Sequence, residues 1–140
     1  MNRSTPQIAQ YLEMVSCGDS EIAFHGLIEL GREILPGLIE AFRAERDPVI
    51  RAFLVGIIWK NREQSAIGFL GEALLDPEPP VWREALDGLV TLASPQALEI
   101  MRAARTWGSQ SGSDDFICWI DEAIAQAEIA LSKECVDQNP

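Results

Sequence analysis

Histidine occurs once in this chain and cysteine three times, with no Cys-x-x-C pair among Cys17, Cys118 and Cys135. An odd, widely spaced set of thiols suggests neither a disulfide framework nor a zinc site, and it fits free thiols in a reducing compartment. Long apolar runs are missing too. Nothing approaches the about 20 residues that cross a bilayer, and the opening Met-Asn-Arg-Ser-Thr-Pro-Gln lacks the apolar core of a secretory signal. The expected location is the cytoplasm, with no membrane partner. Basic residues are few, 11 against 22 acidic ones, for a net charge of -11. That balance disfavours nucleic acid and anionic membranes, whose phosphates repel it, and favours a basic partner if a partner is selected by charge. Acidity also serves plain solubility.

The patterns that carry enzyme chemistry are absent as well: no nucleophile elbow, no glycine-rich loop between strand and helix, and no obvious strand. Gly26 to Gly31 followed by Arg32 lies inside a helical pattern and lacks the Lys-Ser/Thr ending of a phosphate loop. Glu21, His25 and Glu29 follow at four-residue steps on one helix face, a spacing that in principle holds a metal or moves a proton. Two oxygens and one nitrogen from a single exposed helix leave such a site open, so the pattern reads as a solvated face. No catalytic residue, metal or cofactor is assigned, and the chain is taken as a non-enzyme.

What is present is helix. With 140 residues, 47% of them apolar, the chain suffices for a single domain spanning 1–140 with one continuous core. Its organising stretch runs from Leu75 to Ala93. Asp76 offers a side-chain acceptor at a turn, and Pro77, Pro79 and Pro80 remove donors and fix φ, so the helix before them cannot continue. After the turn, Val81, Ala85, Leu86, Leu89 and Leu92 form an apolar stripe with Arg83, Glu84, Asp87 and Thr91 off it. The same punctuation recurs. Thr5-Pro6 and Ser94-Pro95 are cap-then-proline starts, Gly18 and Gly31 are stops, Asp47-Pro48 is a break, and Asn61 is a terminus. Val49 to Lys60 is apolar almost all round, as for a helix buried between neighbours. Gly108 to Asp115, polar and rich in glycine and serine, is expected to be the one long loop; a last helix follows to Ser132, with a polar tail over 133–140. The result is an all-α chain of eight helices in four antiparallel pairs.

The second members of the pairs align. Ala23-Phe24-His25-Gly26-Leu27-Ile28 matches Phe53-Leu54-Val55-Gly56-Ile57-Ile58 and Ala85-Leu86-Asp87-Gly88-Leu89-Val90 at offsets of 30 and then 32 residues, the period of stacked helical hairpins. Ile120-Asp121-Glu122-Ala123-Ile124-Ala125 is a fourth, wetter copy, as a capping repeat requires.

Leu74-Leu75-Asp76-Pro77 followed by Val81-x-Arg83-x-Ala85-Leu86 resembles the HEAT repeat, and Asp47-Pro48-Val49-Ile50-Arg51-Ala52-Phe53-Leu54 resembles a second copy with a shorter turn. The resemblance covers about Ile34 to Ala104 and implies an α-solenoid of about four HEAT-like pairs. It implies that Asp47, Arg51, Asp76 and Arg83 pair along the middle of the stack, and that the second helix of each pair lines a concave surface. One column there is His25, Val55, Asp87 and Glu122; the next is Glu29, Trp59, Thr91 and Gln126. Trp82 and Trp119 stand near the starts of their helices and Trp107 beside the expected loop. Tryptophans and carboxylates on a concave face suit a protein-binding site, rings as anchors and acids for steering. Each tryptophan has a second reading as a core residue. The partner-binding set is therefore His25, Glu29, Trp59, Trp82, Asp87, Thr91, Glu122 and Gln126, for another protein that is basic. An immunity-type inhibitor of a basic toxin or nuclease is one form of that function, and a generic adaptor is another. The alternative, from a resemblance to bilin lyase-type HEAT proteins, is an accessory or lyase-like factor that handles a tetrapyrrole chromophore on a partner protein, with Cys118 or His25 as the residue in question.

Overall fold

The computed structural model describes residues 5–30, 32–60, 64–111 and 114–137. Among them are eight α-helices and no strand: α1 (Thr5–Ser16), α2 (Ser20–Leu30), a 3-10 turn (Arg32–Ile34), α3 (Leu35–Ala44), α4 (Pro48–Lys60), α5 (Gln64–Leu74), α6 (Pro79–Leu92), α7 (Pro95–Ser111) and α8 (Asp114–Asp137). None is long and apolar enough to cross a membrane. The chain is an all-α solenoid. Helices pair as α1 with α2, α3 with α4, α5 with α6 and α7 with α8, and the second members stack on one another in the order α2, α4, α6, α8.

The turns follow from residues that occupy stray backbone groups. Gly18, at φ 95°, closes α1: its N–H donates to the carbonyl of Val15 (3.1 Å) and the Asp19 N–H to that of Met14 (2.8 Å), the paired bonds of a left-handed glycine stop. The carboxylates of Asp47 and Asp76 each take the N–H two residues on, from Val49 (2.9 Å) and Glu78 (3.0 Å), just where proline has ended the previous helix. Ser94 Oγ caps α7 by accepting from the Ala97 N–H at 3.0 Å. The expected stops at Gly31 and Asn61 lie outside the described residues.

One contiguous core runs through the stack, with Leu27, Leu38, Leu54, Ile57, Leu70, Leu89, Met101 and Ile120 fully buried. Helix α4 is its axis. It packs against α1, α2, α3, α5 and α6 and buries Ile50, Leu54, Val55, Gly56, Ile57 and Ile58. Among the described residues the rung expected of the repeats forms once: Arg51 Nη2 meets Asp76 Oδ2 at 2.6 Å, with the Asp76 side chain only 4% exposed, and the guanidinium lies over the Phe42 ring, 4.4 Å from its centre. Asp47 caps α4, and Arg83 goes elsewhere.

The C-terminal quarter differs from expectation in two ways. The supposed loop from Gly108 to Asp115 is mostly helix, since α7 continues to Ser111 and α8 starts at Asp114, leaving only 112–113 outside the described residues. Packing outweighs the helix penalty of Gly108. Its bare backbone is where the Phe116 ring settles, so a Cβ there would collide with Phe116. Helix α8 also runs to Asp137, past the expected end at Ser132. Lys133 to Asp137 contains no glycine or proline to stop it.

Candidate protein-binding face

The face presented by α2, α4, α6 and α8 is shaped by two glycines. Gly56 of α4 and Gly88 of α6 stand at the same position of successive repeats. A Cβ on Gly88 would lie 2.6 Å from Trp59 Cγ, and one on Gly56 would lie 2.9 Å from Glu84 Oε1. Each helix thus gives its neighbour a bare strip of backbone, and a large side chain from the other helix lies across it. The two side chains then meet, as Trp59 Nε1–H donates to Glu84 Oε1 at 3.2 Å. Trp59 is half-buried in this interlock and Val55 is fully buried, so the exposed columns are interrupted at α4. The reason is neighbours: with five helices around it, α4 has little surface left to offer.

Beyond the interlock, α6 and α8 separate to form a groove of about 290 Å³ lined by Leu86, Asp87, Val90, Thr91, Trp119, Glu122, Ala123 and Gln126. Leu86, Val90 and Ala123 lie on its apolar side, and Asp87, Glu122, Thr91 and Gln126 are exposed. The Thr91 hydroxyl donates to the Asp87 carbonyl (2.7 Å), so its proton is spent on its own helix, while Gln126 Nε2 reaches Glu122 Oε1 only at 3.5 Å. The Trp119 indole is 44% exposed. Four of the eight residues expected on the concave face therefore converge in one groove, each pair one turn apart on facing helices.

The remaining four do not join them. Trp82 is 5% exposed and is a core residue, not an anchor: it stands edge-on to Phe116 (5.2 Å between ring centres) and to Trp119 (6.3 Å). Placed at the start of α6, it faces the first turns of α8, where apolar contact removes it from water. Trp107 also stands edge-on to Phe116, at 6.0 Å, so this aromatic cluster clamps α6, α7 and α8 together. The Arg105–Asp121 ion pair joins α7 to α8, and that hydrogen bond holds the Arg105 pKa above its ordinary value. His25 and Glu29 are exposed on α2, outside the groove and separated from it by α4. At that end Phe24 stands edge-on to His25 and to Phe53, and the Lys60 ammonium lies 4.5 Å from the Phe24 ring centre and 5.4 Å from that of Trp59. Cys118 and His25, each nominated for a chromophore, are on α8 and α2 and share no pocket among those described.

Sequence reasoning missed Trp119 as a groove residue, although its spacing of three from Glu122 puts both on one side of α8. It also missed a second groove of about 330 Å³ between α1 and α3, lined by Ile8, Ala9, Leu12, Gly37, Ala41 and Ala44 with Glu40 and Glu45. Chemically, the α6/α8 groove offers two carboxylates, an amide and an aromatic plane. That inventory binds donors and cations.

The family model for HEAT repeats matches residues 35–109, which is α3 through most of α7. No curated protein and no solved structure matches the chain significantly. The match spans more than half of the 140 residues and agrees with the paired helices, the Asp-Pro turns and the Arg51–Asp76 rung. The chain belongs to the HEAT-repeat family.

Proposed function

We propose that the chain is a non-catalytic binding module that docks a basic segment of a partner protein in the α6/α8 groove. HEAT repeats generally mediate protein–protein interaction. The observation that carries the choice of site is the convergence of Asp87, Thr91, Glu122 and Gln126 with the half-exposed Trp119 around one cavity. An aromatic plane with acidic neighbours supplies contact area and steering together, and a net charge of -11 extends the attraction beyond contact range. An inhibitor of a basic toxin or nuclease is one form this function takes, and an adaptor for a basic protein is the other. Genomic adjacency to a toxin gene separates them.

The site is tested by parallel affinity capture in the source cell, with wild type, Asp87→Lys/Glu122→Lys and Glu40→Lys/Glu99→Lys as baits. Glu40 and Glu99 are exposed on α3 and α7, so the third bait makes the same change in charge away from the groove. The expected result is a basic protein held by the wild type and the third bait, released by salt, and lost from the second. Equal loss from both variants would show that net charge governs binding, and equal retention would place the site elsewhere.

A further inference from the structure

Trp119 already carries a guanidinium. Arg83 of α6 lies with its Cζ 4.8 Å from the Trp119 ring centre, and also 5.5 Å from that of Trp82. In the preceding repeat the equivalent Arg51 is tied to Asp76 and mostly buried; Arg83 is exposed and lies over the two rings. One turn along α6 is Asp87, and one turn along α8 from Trp119 is Glu122, both on the groove. Arg83 thus places a planar cation over the indole that borders the groove, with a carboxylate one turn away on each helix.

From this we infer that the groove selects arginine over lysine in its partner, the incoming guanidinium stacking on Trp119 in place of Arg83 and bonding to the carboxylates of Asp87 and Glu122. The inference rests on the docking function proposed above and names the side chain that is recognised. Guanidinium is flat and weakly hydrated, so it loses little by leaving water to stack on an indole, and its forked donors match a carboxylate. Lysine's ammonium is a compact, strongly hydrated point charge. Charge steering alone treats the two cations alike. Arg83 then acts as an internal competitor, held close by the chain and displaced on binding.

The test is titration of the full chain with hexa-arginine and hexa-lysine at matched ionic strength, followed by calorimetry, for wild type, Arg83→Gln and Trp119→Leu. The wild type is expected to bind hexa-arginine several-fold more tightly than hexa-lysine. Arg83→Gln is expected to widen that ratio, because it vacates the ring, whereas the loss of one positive charge by itself strengthens both peptides equally. Trp119→Leu, at a half-exposed position whose folding is checked by circular dichroism, is expected to bring the ratio to one while weak binding of both peptides persists. Equal affinities for the two peptides in all three proteins would overturn the inference and leave acidic docking standing. Binding of neither peptide would overturn both. If sedimentation shows a wild-type dimer that Trp119→Leu converts to monomer, a second copy occupies the groove and the inference falls.

Discussion

Arg51 and Arg83 stand at the same position of consecutive repeats, 32 residues apart, and have different fates. Arg51 is closed over by the stack, 2.6 Å from a carboxylate that water scarcely reaches. Arg83 is open to solvent and rests on indole rings. The arginine is common to both places, so the acceptor decides. Asp76 lies in the Asp-Pro turn of the repeat after Arg51, prepositioned by its bond to the Glu78 N–H. The repeat after Arg83 has no Asp-Pro turn, and its α7 runs on helically to Ser111. A ladder in such a stack is a property of the following turn. An arginine left over at its end is free for other work.

Removing each arginine in turn tests the difference in their seating. Arg51→Met strands the Asp76 carboxylate in the interior and is expected to cost about 3 kcal/mol, the usual scale for a buried pair losing one member. Asp76→Asn added to it should recover part of the loss, since the charge goes while Oδ1 still accepts from Glu78. Arg83→Met, on the surface, should stay within about 0.5 kcal/mol of wild type. Urea unfolding of the three proteins measures all of this, and equal losses for the two arginines would mean that they are not differently seated.

A smaller effect separates interior from exposed glycines. Gly88→Ala drives a methyl against Trp59 Cβ and Cγ, atoms near the backbone that cannot swing aside, for an expected loss of about 1–3 kcal/mol. Gly68→Ala, with open space around it on exposed α5 surface, should gain roughly 0.5–1 kcal/mol from helix propensity. Opposite signs in thermal melts are the expected outcome.

Smallest is the surface pair of Arg43 and Glu72, at 2.7 Å and about half exposed on both sides. The hydrogen bond from Arg43 holds the Glu72 pKa below its ordinary value of 4.5. A carboxylate with a depressed folded pKa stabilises fully above its unfolded pKa, and that contribution is lost as pH falls from about 4.5 through the folded value. Glu72→Gln should therefore flatten the acid limb of the stability curve slightly and leave pH 7 almost unchanged, because solvent screens the pair.

Much of this was legible in the sequence because it is local. Asp47-Pro48, Asp76-Pro77 and Ser94-Pro95 announce their turns through the groups they remove or supply, and Gly26, Gly56 and Gly88 mark the period. The four groove residues were found because equal spacing puts equal positions on one face. What escaped depends on how many neighbours a helix acquires. Val55 aligns with His25, Asp87 and Glu122 yet is buried, because α4 is surrounded. Trp82 and Trp119 stand alike near their helix starts, but α8 covers the first and leaves the second half open. Gly108 looks like a loop until Phe116 packs against it.

The placement of α4 also bears on how the molecule comes apart. Repeat arrays open piecemeal, each unit held only by those beside it. Here the second repeat's inner helix packs against both helices of the first repeat and both of the third, so no opening can begin there without releasing five helices together. Fraying is expected first at the N-terminal pair, since α1 and α2 rest on α3 and α4 more thinly than α7 and α8 rest on α5 and α6, and the proposed docking groove between α6 and α8 then lies at the better-anchored end of the stack.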